Sequence, residues 1–214
     1  MEDIDAIALL QDPVRRRLYE YVAAQDREVG RNEAAEAAGV ARTLAAFHLD
    51  KLVDAGLLEA GSRRLTGRSG PGAGRPAKVY RRSAAELGVS VPARDYRTAA
   101  GLLAEAAESA GLDMELQDAA RRRGRALRGG VGGLGELAEV LAGRGYEPVV
   151  DDAGVLRMRN CPFHAVAEEF PPLVCGMNLA LLEGLAEGSG VRVRMDPRPG
   201  WCCVAAEPSK NNED

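Results

Sequence analysis

The chain has 214 residues, of which 46% are hydrophobic and 28% charged, a composition typical of a folded protein of one or two domains and not of a disordered chain. Its longest stretch without a charged side chain, residues 170–182, is shorter than the roughly 20 apolar residues of a membrane-spanning helix, and its N-terminus is acidic where a secretory signal would be basic. A net charge of −4 and only four cysteines indicate neither a uniformly basic protein nor a disulfide scaffold, so we expect a cytoplasmic protein.

The N-terminal part of the chain predicts a helix-turn-helix followed by a β-hairpin. Helices are expected at residues 13–25, 33–38 and 42–55. Asp12 is a good N-cap before Pro13 at the first helical position, and Gly39 and Gly56 suit the turns that end the second and third helices. The third helix is expected to bury Leu44, Phe47, Leu49, Leu52 and Val53. Strands at 57–60 and 77–81, joined by a tip rich in Gly, Arg, Ser and Pro, complete the arrangement of a winged helix.

The rest of the chain alternates between helical and strand patterns. Helices are expected at residues 93–110, 114–127, 136–142 and 172–187, and strands at residues 146–150, 155–159, 191–195 and 202–206. We therefore predict an α+β fold, with a winged helix-turn-helix domain at 1–83 and a mixed helical and β sensor domain at 84–214. The helix at 93–110 is the expected site of dimer contacts. Residues 130–135 match GxGxxG but follow a helix instead of a strand, so we do not expect a dinucleotide site there.

Charge is concentrated in the N-terminal part. Residues 13–82 contain 14 basic and 8 acidic side chains, a net of +6, so the remainder of the chain carries −10. Residues 63–82 contain seven basic side chains and no acidic one. This asymmetry is expected when one domain binds a polyanion such as DNA and the other does not.

The residues expected to contact DNA lie in the third helix and in the hairpin. A helix fits the major groove of B-DNA with its N-terminal residues near the base edges, where Arg42 can bind a guanine or a phosphate and the small Ala45 and Ala46 permit close approach. Gly74-Arg75-Pro76 is an extended tripeptide whose arginine fits a narrow minor groove. The expected contacts are Arg42, Thr43, Ala46, His48 and Lys51 in the helix, and Arg63, Arg64, Arg68, Arg75 and Lys78 in the hairpin. A solvated charged face and a flexible Arg-rich loop are the alternatives.

The four cysteines indicate a metal site. Cys161, Cys175, Cys202 and Cys203 all lie in the last 54 residues, near His164, one of two histidines. Three thiolates with His164 would complete a tetrahedral zinc site, whereas three thiolates with a weak or exchangeable fourth ligand would suit an iron–sulfur cluster. Because neighbours on a strand face opposite sides, Cys202 and Cys203 are not expected to reach one site together unless the strand bulges. Small buried thiols without a metal are the alternative.

Two parts of the sequence resemble known bacterial regulators. The segment from Asp12-Pro13-Val14-Arg15-Arg16-Arg17 to Ala55-Gly56-Leu57 resembles the winged helix of arsenical-repressor-like (ArsR-like) regulators. Gly74-Arg75-Pro76 through Tyr80, followed by the cysteine series, resembles the subgroup that contains the Suf regulator, a repressor of iron–sulfur-cluster assembly genes. This resemblance implies a homodimeric repressor whose C-terminal domain holds an iron–sulfur cluster through Cys161, Cys175 and Cys203. The doubled Cys202-Cys203 and the nearby His164 depart from the pattern and leave the choice between cluster and zinc open.

Three hypotheses for the whole protein follow. The first is a cytoplasmic DNA-binding repressor that acts as a homodimer on double-stranded DNA, is controlled by an iron–sulfur cluster or metal, and is not an enzyme. The second is a winged-helix regulator with a structural zinc site and a small-molecule effector. The third is a thiol oxidoreductase using Cys202-Cys203, which is disfavoured because the sequence has neither a CxxC motif nor a Ser/His/Asp signature.

Overall fold

A computed structural model describes residues 3–25, 27–63 and 76–209. The chain divides into two compact units, Met1–Arg94 and Asp95–Asp214. The fold is α+β, as expected from the sequence. In the described residues, no helix is both long and apolar enough to span a bilayer.

The first unit consists of helices packed on a small antiparallel sheet. Its elements are α1 (Asp3–Ala8), a 3-10 turn (Leu9–Gln11), α2 (Pro13–Ala23), β1 (Val29–Gly30), α3 (Arg31–Ala38), α4 (Arg42–Asp54), β2 (Leu58–Arg63) and β3 (Ala77–Arg82). Asp12 Oδ1 accepts hydrogen bonds from Val14 N and Arg15 N at 2.9 and 3.0 Å, which caps α2. Gly39 ends α3 with φ of 65°, a backbone conformation that glycine adopts without strain. The sheet has the order β1-β3-β2. The expected hairpin of β2 and β3 is thus extended by a short third strand, β1, which was not predicted.

The core of this unit lies between α2, α3, α4 and the sheet, around the fully buried Leu18, Leu49 and Leu52. The prediction that α4 buries Leu44 and Phe47 is wrong, because their exposed fractions are 41% and 55%. A helix of this length packed on one side of a small core has one buried stripe, and in α4 that stripe is completed by Ala45 and His48 instead.

The second unit combines helices with a four-stranded sheet. Its elements are α5 (Tyr96–Ser109), α6 (Asp113–Leu127), α7 (Leu134–Ala142), β4 (Pro148–Val150), β5 (Leu156–Met158), α8 (His164–Ala167), α9 (Pro171–Ala186), β6 (Val191–Met195) and β7 (Val204–Pro208). All paired strands are antiparallel, in the order β4-β5-β7-β6. Its core contains Leu137, Leu156, Met158 and Leu182.

Two glycines let α6 and α9 pack closely. A Cβ atom added to Gly124 would collide with the carbonyl oxygen of Leu181 and would lie 2.9 Å from the Cα of Gly184. A Cβ added to Gly184 would collide with the carbonyl oxygen of Arg121. Because α9 also contains Cys175, this backbone contact fixes one of the four cysteines relative to the core.

The last strand begins two residues later than the sequence predicts, at Val204 instead of Cys202. The backbone N–H of Cys202 donates to the carbonyl oxygen of Met158 at 2.8 Å. Cys202 and Cys203 thus lie in an irregular segment before β7. The alternation of side chains along a strand therefore does not separate them.

Candidate functional site

The outward face of α4 contains four of the five helical residues expected to contact DNA. Arg42, Thr43 and Lys51 are exposed and Ala46 is half-buried. With a rotation of about 100° per residue, Thr43 points away from the buried Ala45, which faces the core.

His48 does not lie on this outward face. Only 7% of its surface is exposed, and its Nδ1 has no hydrogen-bond partner among the described residues. This position does not support the DNA contact expected at His48, because the core-facing stripe of α4 includes it. The same stripe contains Ala45, which is completely buried and cannot line a DNA groove.

A groove of about 1010 Å³ lies between the N-terminal ends of α3 and α4 and the strands β2 and β3. Its lining includes five basic side chains, those of Arg27, Arg31, Arg42, Arg63 and Lys78. Arg63 Nη1 lies 3.6 Å from Glu28 Oε2, and Lys78 Nζ lies 2.8 Å from Asp50 Oδ1. Arg42 forms no hydrogen bond or ion pair with any residue of ranges 3–25, 27–63 and 76–209. Within this part of the chain, its exposed guanidinium is therefore free to contact an external partner.

Asp50 connects α4 to the hairpin, a feature that the sequence analysis missed. Its Oδ1 accepts hydrogen bonds from Tyr80 Oη at 2.7 Å and from Lys78 Nζ at 2.8 Å, and its Oδ2 accepts one from Arg31 Nη2 at 3.1 Å. Arg31 Nε also donates to Tyr80 Oη at 2.8 Å. Burial opposes ionisation of Asp50, but hydrogen bonds from Lys78 and Tyr80 hold its pKa below the usual value. Burial, together with the bond to Asp50, raises the pKa of Tyr80 to about 12.

The remaining hairpin residues divide into two groups. Arg63 and Lys78 lie on paired strands, where Arg63 is opposite Ala77 and Lys78 is opposite Ser62. Arg64, Arg68 and Arg75 lie outside the described residues, so their expected DNA contacts stay predictions.

The second unit gathers all four cysteines into one cluster. The thiol of Cys202 lies close enough to those of Cys161 and Cys203, and the thiol of Cys203 close enough to that of Cys175, to affect their ionisation. Cys161 follows β5, Cys175 lies in the first turns of α9, and the other two precede β7. Three separate segments therefore bring the thiols together.

Two buried polar residues, Asn178 and Tyr146, form a chain of hydrogen bonds that ends at Cys202. Asn178 Nδ2 donates to Cys202 Sγ at 3.3 Å, and Tyr146 Oη donates to Asn178 Oδ1 at 2.6 Å. The hydrogen bonds with Cys161 and Cys203 lower the pKa of Cys202 to about 3, and the same contacts, with burial, raise the pKa values of Cys161 and Cys203.

His164 does not join the cysteines. Its side chain is 64% exposed and its Nε2 lies 3.2 Å from Glu168 Oε1, one helical turn later. In the part of the chain that the structure describes, no three His, Cys, Asp or Glu side chains are arranged to hold a metal ion. Among the described residues, the side chains that affect the ionisation of Cys202 include two further thiols, and thiolate is the ligand type that soft metals and iron–sulfur clusters prefer.

Comparison with known proteins gives one match. A family model described as Helix-turn-helix domain matches residues 9–60, about a quarter of the chain. No curated protein and no solved structure matches the chain. The matched residues include α2, α3 and α4, so the N-terminal unit contains a helix-turn-helix domain, and this domain supports a DNA-binding transcription regulator.

Proposed function

We propose that this protein is a cytoplasmic homodimeric repressor whose affinity for its operator is controlled by an iron–sulfur cluster or metal bound to the cysteines of its second unit. The helix-turn-helix domain, with the outward face of α4 exposed, is the observation that carries the proposal. Control by the cysteines rests on the four clustered thiols and on the resemblance to the Suf regulator subgroup.

DNA binding follows from the shape and charge of the first unit. The N-terminal half of α4 enters the major groove, with Arg42 and Thr43 at the base edges. The basic groove beside α4 and the hairpin then lies against phosphates, where positive charge contributes binding energy without sequence preference.

A second copy of the chain is the proposed partner of α5. Large apolar side chains that are exposed in the second unit concentrate on α5 and the start of α6, namely Tyr96, Leu102, Leu103, Leu112 and Met114. A patch of this kind marks an interaction site more often than a solvated surface. A twofold dimer also suits a helix-turn-helix protein, because it places two copies of α4 in successive major grooves about 34–36 Å apart.

Cys161, Cys175 and Cys203 are the proposed ligands, and Cys202 is the proposed fourth donor in place of His164. Cys202 fits this role because its thiol contacts two of the other three, whereas His164 points to Glu168. Asn178 and Tyr146 orient Cys202, as second-layer hydrogen bonds orient metal ligands in general. A bound cluster would supply sensitivity to oxidation. The cysteines, with Asn178 and Tyr146, would transmit the gain or loss of the cluster to the dimer. Operator affinity would change as a result.

Purification without air, followed by elemental analysis and absorption spectra, tests this assignment. We expect iron and acid-labile sulfide with visible absorbance, lost in Cys202→Ser and kept in the matched control His164→Ala. A colourless protein with stoichiometric zinc would favour instead a structural zinc site with a small-molecule effector. Thiol-exchange turnover that Cys203→Ser abolishes would contradict the proposal and favour an oxidoreductase.

A further inference from the structure

The recognition helix α4 exposes an aromatic ring where the sequence predicts a core residue. Phe47 is 55% exposed and lies one turn after Thr43, on the side of α4 opposite the buried Leu52. Thr43 and Phe47 therefore lie on the same side of α4, the side that faces away from the core. Phe47 does not belong to the hydrophobic core of this unit, so packing against the core does not explain its place on this side of the helix.

The surroundings of Phe47 suit the approach of DNA. Lys51 Nζ lies 5.1 Å from the centroid of its ring, which places a cation beside the aromatic face. The acidic side chain nearest in the helix, Asp50, is already bound by Lys78, Tyr80 and Arg31. Its negative charge is thus compensated within the protein and opposes a phosphate backbone less than a free carboxylate would.

We propose that Phe47 is a specificity-determining residue that contacts the C5 methyl group of a thymine in the major groove. The inference rests on the proposed function, since it requires α4 to lie in that groove. A phenyl ring has no hydrogen-bond donor or acceptor for the polar edges of guanine, adenine or cytosine, whereas thymine is the base that presents an apolar group there. Ala46, about 100° around the helix from Phe47 and half-buried, adds a small apolar surface at the edge of this face.

The proposed contact predicts a preference for thymine at one position of each half-site. Each half-site should contain one thymine that the protein recognises through its methyl group, about one helical turn of DNA from its counterpart in the other half-site. Arg42, which can form hydrogen bonds, reads a neighbouring base pair or phosphate instead.

Replacement of thymine by deoxyuridine tests the contact, because deoxyuridine keeps base pairing and lacks only the methyl group. The full-length protein first selects its site from a random duplex pool, and each thymine of the recovered site is then replaced singly by deoxyuridine. With wild-type protein we expect the dissociation constant to rise about fourfold at one position per half-site, as the loss of one buried methyl group implies. With Phe47→Ala we expect weaker binding to the thymine duplex and no further loss on replacement.

Two controls separate the possible outcomes. Val150→Ala removes an apolar side chain of similar exposure, 54%, from the second unit and should leave the thymine effect unchanged. Because Phe47→Ala removes no charge, the salt dependence of binding should also stay as in wild type. Equal deoxyuridine penalties in wild type and Phe47→Ala would overturn the contact and leave the proposed function standing. Failure of the wild type to bind any duplex in a salt-sensitive way would overturn both.

Discussion

At the scale of single residues, Asp50 does more for the site than its charge suggests. The ion pairs of Asp50 with Arg31 and Lys78 are partly exposed, and such pairs contribute little to stability individually. The hydroxyl of Tyr80 is different, since Tyr80 is completely buried and its Oη needs a partner. Asp50 supplies that partner, and in doing so it fixes α4 against β3.

The substitution Asp50→Asn should lower the free energy of unfolding at pH 7 by about 1 kcal/mol or less, a small value because the group is partly exposed. Since the pKa of Asp50 is lowered in the folded protein, its stabilisation is complete above the unfolded pKa of about 3.9 and is lost as pH falls through the lower folded pKa. Urea unfolding followed by circular dichroism at several pH values between 7 and 3 should therefore show the two proteins converging in acid. A difference that grows toward acid pH would contradict this account.

Among the charged residues, Arg42 is the one whose loss should most reduce the preference for the operator over random duplex. Arg42→Ala should weaken binding to the selected operator by about tenfold or more, because a good arginine–guanine contact is worth roughly 1–3 kcal/mol. Binding to random duplex should weaken less. Fluorescence anisotropy titrations with both duplexes measure the two effects, and an equal loss on both would identify Arg42 as a phosphate contact.

At the scale of elements, the contact between α6 and α9 determines where Cys175 lies. Helices that meet through glycines approach more closely than helices separated by side chains. In this pair the Cβ positions of Gly124 and Gly184 are already occupied by backbone atoms of the opposite helix. The contact therefore has little capacity to absorb even one methyl group.

Gly124→Ala should destabilise the second unit by about 1–3 kcal/mol, the usual cost of overpacking a tight contact. Gly135→Ala is the matched control, since Gly135 lies in α7 and no atom lies within 4 Å of its added Cβ. There the same change should be neutral or stabilising by up to about 1 kcal/mol, because alanine favours helix. Thermal unfolding of both variants measures the contrast, and equal effects would show that the close contact is not the cause.

Local signals made most elements predictable from the sequence. The cap at Asp12 and the turn at Gly39 are set by residues within a few positions, so the start of α2 and the end of α3 agree with expectation, whereas α1 was not predicted. The outward positions of Leu44 and Phe47 were not predicted, because apolarity indicates a preference for burial and not which side of a helix meets the core. The spacing from Thr43 to Phe47 was a usable signal, since residues four apart share a helical face.

The cysteine cluster was only partly predictable. Clustering of the thiols late in the chain indicated a common site, but the partner of Cys202 is decided by tertiary packing of three segments. The prediction that Cys202 and Cys203 lie on a strand is wrong, because β7 begins at Val204. The expectation that their side chains face opposite sides of a strand therefore does not apply. Asn178 gave no signal, since an isolated polar residue in an apolar helix shows no partner until the fold is known.

At the scale of the whole molecule, the proposed function requires two copies of α4 at a fixed spacing. If each copy of α4 binds one half-site, joining two copies makes the second binding event intramolecular. In this proposal the apolar surface on α5 and the start of α6 is as important for DNA binding as α4 itself.

Leu103→Glu should convert the protein to a monomer, because it places a charge in the centre of the apolar surface on α5. Sedimentation equilibrium measures the change, and operator affinity should fall by at least about tenfold. Val150→Glu introduces the same charge at an exposed apolar position away from α5 and should stay dimeric. A Leu103→Glu variant that sediments as a dimer would exclude α5 as the interface.

In the proposed mechanism, the first unit binds DNA and the cysteines of the second unit adjust that binding. The most direct test of this mechanism is the affinity of full-length protein, purified without air, for duplexes from its own promoter region at two salt concentrations, before and after treatment with a metal chelator. We predict salt-sensitive binding whose dissociation constant changes at least about fivefold on chelation, within the usual range of coupling between two sites. Absence of salt-sensitive binding, or an affinity that chelation leaves unchanged, would contradict the mechanism.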